Sequence, residues 1–192
     1  DKGSFVIKLD SGYNIGFLKK EIKKIKVLEK YKELKTKKPS LKHSKAKETV
    51  AILHTGGTIA SKVDYKTGAV FAKYSPEELV SMFPEIEKLV NVRSHLISNI
   101  SSEDLRFHHY NIIAKEIQKE IKAGVDGIII THGTDTLHYT AAALSFLLED
   151  LPIPVILVGA QRSSDRGSSD AAMNLICAVE LIKQTDFAEV GI

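Results

Sequence analysis

Cysteine is almost missing from this chain. One residue, Cys177, among 192 leaves no internal disulfide framework and makes a reducing cytoplasm the default compartment. Its apolar neighbours Leu175, Ile176, Ala178 and Val179 place it in packed core. Long apolar runs are missing too. None approaches the roughly 20 residues that cross a bilayer, so no membrane association is expected. The first residues, Asp1-Lys2-Gly3-Ser4, lead into an alternating strand rather than an apolar signal region, and without methionine they read as a start inside a longer protein. Neither Gly-Lys-Ser/Thr nor G-x-G-x-x-G occurs, which leaves nucleotide binding unsupported. His54, His95, His108, His109, His132 and His138 show no H-E-x-x-H or comparable ligand spacing, so neither a metal nor a cofactor is expected. No internal repeat is visible.

What is present has the balance of a soluble globular protein, 43% hydrophobic and 27% charged, long enough for one domain and an appendage. The charge is unevenly placed. Residues 1–47 hold 15 lysines against 5 acidic residues, and the rest holds 12 basic against 19 acidic, so a +10 arm precedes a −7 domain. A basic arm can attract RNA phosphates. It can equally be a solvated linker. The lack of arginine and of aromatics other than Tyr31 between Lys19 and Lys47 favours the linker.

The chain divides into three regions. Residues 1–18 read as the remnant of a small N-terminal β domain, two short strands joined through Asp10-Ser11-Gly12. Residues 19–48 form the basic linker, its early apolar positions Ile22, Ile25, Val27 and Leu28 compatible with strand or helix. Residues 49–192 repeat a strand–loop–helix pattern. Strands are expected at Val50–His54, Val90–Ser98, Val125–Thr131 and Pro154–Val158, with the start of another at Glu189. Ser101 or Ser102 is expected to cap a helix running through Ile112, Ile113, Ile117 and Ile121 and stopped by Gly124. Further helices are expected over Thr136–Glu149 and from about Ser169 to Gln184. Continuous apolar strands alternating with helices imply an α/β fold with a mostly parallel sheet covered on both faces.

In such sheets ligands bind beyond the carboxyl ends of the strands. The first strand is followed by Thr55-Gly56-Gly57-Thr58-Ile59-Ala60-Ser61 and the second by Asn99-Ile100-Ser101-Ser102-Glu103-Asp104. The third is followed by His132-Gly133-Thr134-Asp135-Thr136 and the fourth by Gly159-Ala160-Gln161-Arg162. Paired glycines let backbone N–H groups approach a ligand, and a hydroxyl beside them can serve as a nucleophile with an oxyanion site at hand. Asp135 can be a helix-end charge or the partner of a substrate ammonium. Glu103 supplies a second carboxylate, and Ser102 can bind substrate or cap a helix. Two carboxylates and several hydroxyls together suit a zwitterionic amino acid.

The segments TGGTIAS (Thr55–Ser61) and THGTDT (Thr131–Thr136), in this order and spacing, resemble the two signatures of the asparaginase/glutaminase family. The resemblance implies a Rossmann-like α/β fold, a homodimer, and hydrolysis of glutamine or asparagine with release of ammonia. It implies that Thr58 is the nucleophile, with Thr134 and Asp135 as the catalytic pair of the second motif. Gly57, Ser102 and Glu103 become substrate-binding, and Tyr65 resembles the flap tyrosine that approaches the nucleophile. The family commonly has glutamine where Glu103 stands and glycine where Ser101 stands. Within the family, GAQRSSDRGSSDAAMNL (Gly159–Leu175) and the preceding hairpin and basic stretch resemble the branch of D subunits of archaeal tRNA-dependent amidotransferases. That branch implies a partner, the amidotransferase's E subunit, which amidates Glu-tRNA(Gln), with ATP, magnesium and most tRNA contact belonging to the partner. The family's catalytic lysine lies beyond the strand starting at Glu189, so residues 1–192 alone are expected to be inactive. Two other readings stay open: a free-standing L-asparaginase with a basic arm, and a non-catalytic amino-acid-binding or RNA-docking module.

Overall fold

A computed structural model describes residues 4–8, 14–26, 44–45, 47–63, 70–72 and 76–192. In chain order the elements begin with β1 (Ser4–Lys8), β2 (Asn14–Leu18), β3 (Thr49–Gly56), β4 (Ser61–Val63), β5 (Val70–Ala72), α1 (Pro76–Ser81) and α2 (Pro84–Leu89). They continue with β6 (Asn91–Ile100), α3 (Phe107–Lys122), β7 (Gly127–Thr131), α4 (Leu137–Leu147), β8 (Val155–Val158), α5 (Ala171–Gln184) and β9 (Val190–Gly191). Among the described residues no helix is long and apolar enough to cross a membrane.

The apolar runs form one five-stranded sheet in the order β6-β3-β7-β8-β9. All four pairings are parallel, with His54 opposite Thr131 and Thr131 opposite Val158 at the carboxyl ends. Successive side chains of a strand point to opposite faces. Val50, Ile52, Ile129, Ile156 and Val158 therefore face one way, packing with Leu79, Ile86, Leu175 and Val179 of α1, α2 and α5. Ala51, Leu53, Ile128, Ile130, Val155 and Leu157 face the other, against Ile113, Ile117 and Leu144 of α3 and α4. Both faces are covered, which is why the strands read as continuous apolar runs rather than alternating ones. Each fully buried Ile or Leu contributes about 1.5–3 kcal/mol.

Two expectations for the α/β region need correction. Ser101 and Ser102 do not cap α3. A separate 3-10 turn, Ser102–Asp104, intervenes, closed by Asp104 N–H to Ser101 O and Leu105 N–H to Ser102 O. The helix starts after an extended Arg106, whose N–H donates to His109 Nδ1 at 2.9 Å. Its end falls as expected, at Gly124, which has φ +78°. Cys177 is exposed, not packed. The buried positions of α5 are Ala171, Leu175, Ala178, Val179 and Ile182, and the helical turn puts Cys177 on the other stripe with Met173 and Leu181.

β1 and β2 pair antiparallel, with Ser4 opposite Leu18 and Lys8 opposite Asn14. The turn read at Asp10-Ser11-Gly12, and Val27 and Leu28 of the linker, lie outside the described residues. Ile22 and Ile25 belong to neither strand nor helix, since a 3-10 turn over Lys19–Glu21 precedes an irregular stretch. Near residue 44 the chain is tied to β6 by Asn91, which accepts from Ser44 N–H and donates to Ser44 O and Lys47 O.

Candidate active site

The carboxyl ends of β3, β6 and β7 converge because glycine removes the side chains that would hold their loops apart. Gly57, at φ +79°, lies against the backbone of Gly133, so a β-carbon there would meet Gly133 Cα at 2.5 Å. A β-carbon on Gly133 would in turn meet Ser102 Cβ at 2.7 Å. Thr136 Oγ1 donates to Ser102 O at 2.6 Å and locks the loop after β7 to the turn after β6. The result is a cleft of about 490 Å³ lined by Gly57, Thr58, Ser102, Glu103, Thr134 and Asp135, with Ser61 and Asn99 completing its wall. That volume is within the range of small-molecule sites, about 300–1,000 Å³.

A larger groove of about 740 Å³ lies alongside, between α5 and the ends of β8 and β9, and shares only Thr134 with the cleft. Its walls include Leu137, Ile156, Val158, Leu181 and Phe187. Hydroxyls and carboxylates gather in the smaller cleft, which makes it the candidate site.

The structure sorts chemically identical residues by what each touches. Of the two threonines in the first motif, Thr55 is buried and donates to Thr131 O at 2.9 Å, stitching β3 to β7. Thr58 opens the 3-10 turn Thr58–Ala60 and lines the cleft. In the second motif Thr131 is buried against His54, with Oγ1 2.9 Å from Nδ1, and Thr136 is spent on Ser102 O. Only Thr134 of the three lines the cleft. Glu103 and Asp135 are exposed at its edge, and Ser102 is buried at its base. Tyr65 lies outside the described residues.

The buried histidines hold the frame. His132 lies beneath the second motif, Nδ1 2.6 Å from Gly133 O and Nε2 2.8 Å from Thr140 Oγ1 on α4. Burial pushes its pKa below the ordinary 6.5, against the opposing effect of the Gly133 carbonyl. The ring is therefore neutral, Nδ1–H donates to Gly133 O, and Nε2 accepts from Thr140. His54 bridges strands, its Nε2 2.8 Å from Ser94 Oγ on β6.

The loop after β8 is closed by Asp170, whose carboxylate accepts from Gln161 N–H at 3.0 Å, Arg162 N–H at 3.3 Å and Asn174 Nδ2 at 3.1 Å. Burial acts to raise its pKa, but these donors outweigh it and hold the carboxyl below its ordinary 3.8. A depressed folded value means the stabilisation is full above the unfolded pKa and is lost as pH falls through the lower folded value. The stability difference between wild type and Asp170→Asn should therefore be constant near neutrality and shrink only in acid below the ordinary 3.8, as thermal melts across pH will read. A difference that closes already between pH 5 and 7 would contradict this assignment.

Comparison with known proteins places these features in context. The family model described as "Asparaginase, N-terminal" matches residues 49–192. The chain is 52% identical over 187 residues to the D subunit of glutamyl-tRNA(Gln) amidotransferase from Pyrococcus furiosus, covering 96% of this chain and 42% of that one. It is 49% identical over 193 residues to the protein of the same name from Pyrococcus horikoshii, covering 97% and 43%. Among solved structures it is similar to L-asparaginase I from Vibrio cholerae, with a TM-score of 0.69, 31% identity, and coverage of 77% of this chain and 44% of the other. The chain thus spans less than half the length of the curated relatives it matches.

Proposed function

This chain belongs to the asparaginase family through residues 49–192, and from that membership we propose that it is part of an amidohydrolase that releases ammonia from glutamine or asparagine. In this reading Thr58 Oγ attacks the side-chain amide carbon and the carbonyl electrons move onto oxygen. N–H groups around Gly57–Ile59 stabilise the oxyanion. The proton from Thr58 Oγ passes by way of Thr134, Asp135 and the lysine expected after residue 192 to the leaving nitrogen, the C–N bond breaks, and ammonia leaves. Water then cleaves the Thr58 ester, yielding the free acid and restoring the hydroxyl. Ser102, Glu103, Gly57 and Tyr65 grip the amino acid. The ammonia serves the partner E subunit, which amidates Glu-tRNA(Gln) and itself uses ATP and magnesium. A cytoplasmic homodimer completes the reading.

The sorting of the threonines carries the catalytic half: Thr58 and Thr134 face one cleft while Thr55, Thr131 and Thr136 are hydrogen-bonded into the frame. The amidotransferase half is carried by coverage. The family match begins at residue 49, whereas likeness to the D subunits covers 96% of the chain, including most of the hairpin and basic stretch. The test is ammonia release from glutamine and asparagine by the intact protein, together with transfer to Glu-tRNA(Gln) when the partner is added. The resemblance puts the catalytic lysine after residue 192, so residues 1–192 alone are expected to turn over negligibly.

Glu103 stands at the cleft edge with an exposed carboxylate. If it pairs with the substrate ammonium, Glu103→Gln in the intact protein weakens binding by about 1–3 kcal/mol, the scale of a charged hydrogen bond. The loss should appear in KM, because the ammonium contact is the same in ground and transition states. An unchanged KM would remove Glu103 from the substrate-binding set.

A further inference from the structure

The turn that carries Thr58 is closed on itself: Ser61 N–H donates to Thr58 O, and two further donors share the Gly57 carbonyl. Ala60 N–H donates to Gly57 O at 3.2 Å and Ser61 Oγ donates to the same oxygen at 2.7 Å. The carbonyl after Thr58's own, that of Ile59, is held from a remote part of the chain. Ser164 Oγ donates to it at 2.5 Å, across 105 residues, from a buried position in the loop after β8. The same loop begins at Gly159, where a β-carbon would meet Thr134 Cγ2 at 2.9 Å. One loop therefore touches the surroundings of both cleft threonines.

That loop is built to keep its shape. Arg162 O accepts from Ser169 Oγ at 2.8 Å, and Arg162 Nη1 donates to Ser168 Oγ at 2.7 Å. Arg166 N–H donates to Ser163 O and Ser169 N–H to Arg166 O, closing two consecutive turns. Asp170 gathers the N–H groups of Gln161 and Arg162, and Asn174 links Asp170 to Gly159 O. A carboxylate held charged well into acid keeps this clasp shut at neutral pH.

We infer that the Gly159–Asp170 loop is a positioning element of the candidate site: Ser164 fixes the Ile59–Ala60 peptide in the turn that carries the Thr58 nucleophile, and Asp170 holds the loop where Ser164 can reach it. This rests on Thr58 being the nucleophile, as proposed above. A displacement of about 1 Å in a reacting group can cost on the order of 10²-fold in rate. Of the residues assigned to grip substrate, Ser102 and Glu103 come after another strand, whereas Gly57 belongs to the turn that Ser164 steadies. Loss of the Ser164 contact should therefore act more on kcat than on KM.

The experiment uses the intact protein with Ser164→Ala, Asp170→Asn, the double variant and Thr58→Ala. It measures kcat and KM for ammonia release, thermal midpoint, and the rate of covalent labelling at Thr58 by a diazoketone analogue of glutamine. Ser164→Ala should lower kcat and labelling about 3- to 10-fold, the range of one net hydrogen bond expressed as a rate, with KM changed less than kcat and the thermal midpoint lowered only as far as one lost buried hydrogen bond requires. Asp170→Asn should act in the same direction. The double variant should be no slower than the slower single, because both act through one contact. Wild-type kcat in Ser164→Ala overturns the inference. So does a fall in kcat matched by an equal rise in KM, which marks ordinary packing. Ammonia release that survives Thr58→Ala instead overturns the nucleophile assignment beneath it. Loss of release in Thr58→Ala beside an unchanged Ser164→Ala removes the positioning role alone.

Discussion

Thr58→Ala in the intact protein is expected to lower ammonia release by on the order of 10⁴- to 10⁶-fold, the scale seen when a nucleophile is removed from a catalytic unit. The thermal midpoint should hardly move, because this half-buried side chain lines the cleft instead of the core. Thr55→Ala is the matched control, three residues away and chemically the same change. Thr55 is buried and donates to Thr131 O, so its loss should cost about 1–3 kcal/mol of stability and leave the reacting groups in place. Steady-state ammonia assays beside thermal melts separate the two. Rapid turnover by Thr58→Ala would transfer the nucleophile role elsewhere, with Thr134 the next hydroxyl in the cleft.

Gly57→Ala is expected to have the largest effect on the fold around the site. With φ 79° and ψ 179°, Gly57 occupies a region open essentially only to glycine, and forcing a side chain there costs about 1–3 kcal/mol. The added β-carbon would also meet Gly133 N, Gly133 Cα at 2.5 Å and the His132 carbonyl carbon at 2.8 Å. These are backbone atoms and cannot rotate aside, so overpacking adds roughly another 1–3 kcal/mol. Against a total stability of about 5–15 kcal/mol this is a large fraction. Urea unfolding should show the loss, and ammonia release should fall with it because Thr58 and Thr134 sit on the two loops being pushed apart. Wild-type stability in this variant would mean that the loops do not pack as described.

The sheet was legible in the sequence because a parallel strand covered on both faces has no polar side to interrupt it. Val50–His54 and Val125–Thr131 read as strands for that reason, and the residues just after each strand led directly to the cleft. Helix boundaries were harder. Ser101 and Ser102 carry the chemistry of a cap, yet the chain makes a 3-10 turn and an extended Leu105–Arg106 before α3 begins. Cys177 has apolar neighbours in sequence, but the 100° step per residue turns it away from them. Ser164 was invisible. It stands in a run with Ser163, Ser168 and Ser169, and nothing local marks the one whose partner is 105 residues away.

That separation bears on how the protein acquires its site. The ties that define the cleft join segments 34, 76 and 105 residues apart, from Thr136 to Ser102, Thr55 to Thr131 and Ser164 to Ile59. Closing each loop costs entropy before any contact is gained, and each longer loop costs somewhat more. Parallel pairing has no short hairpin route: β3 must wait for β6 and β7 to be made and docked beside it, and β7 for β8. The outermost tie, from Ser164, has the longest loop to close and needs β8 docked first. Cleft geometry is thus a late product of folding, and a chain that has already acquired its helices and most of its secondary structure still has no assembled nucleophile.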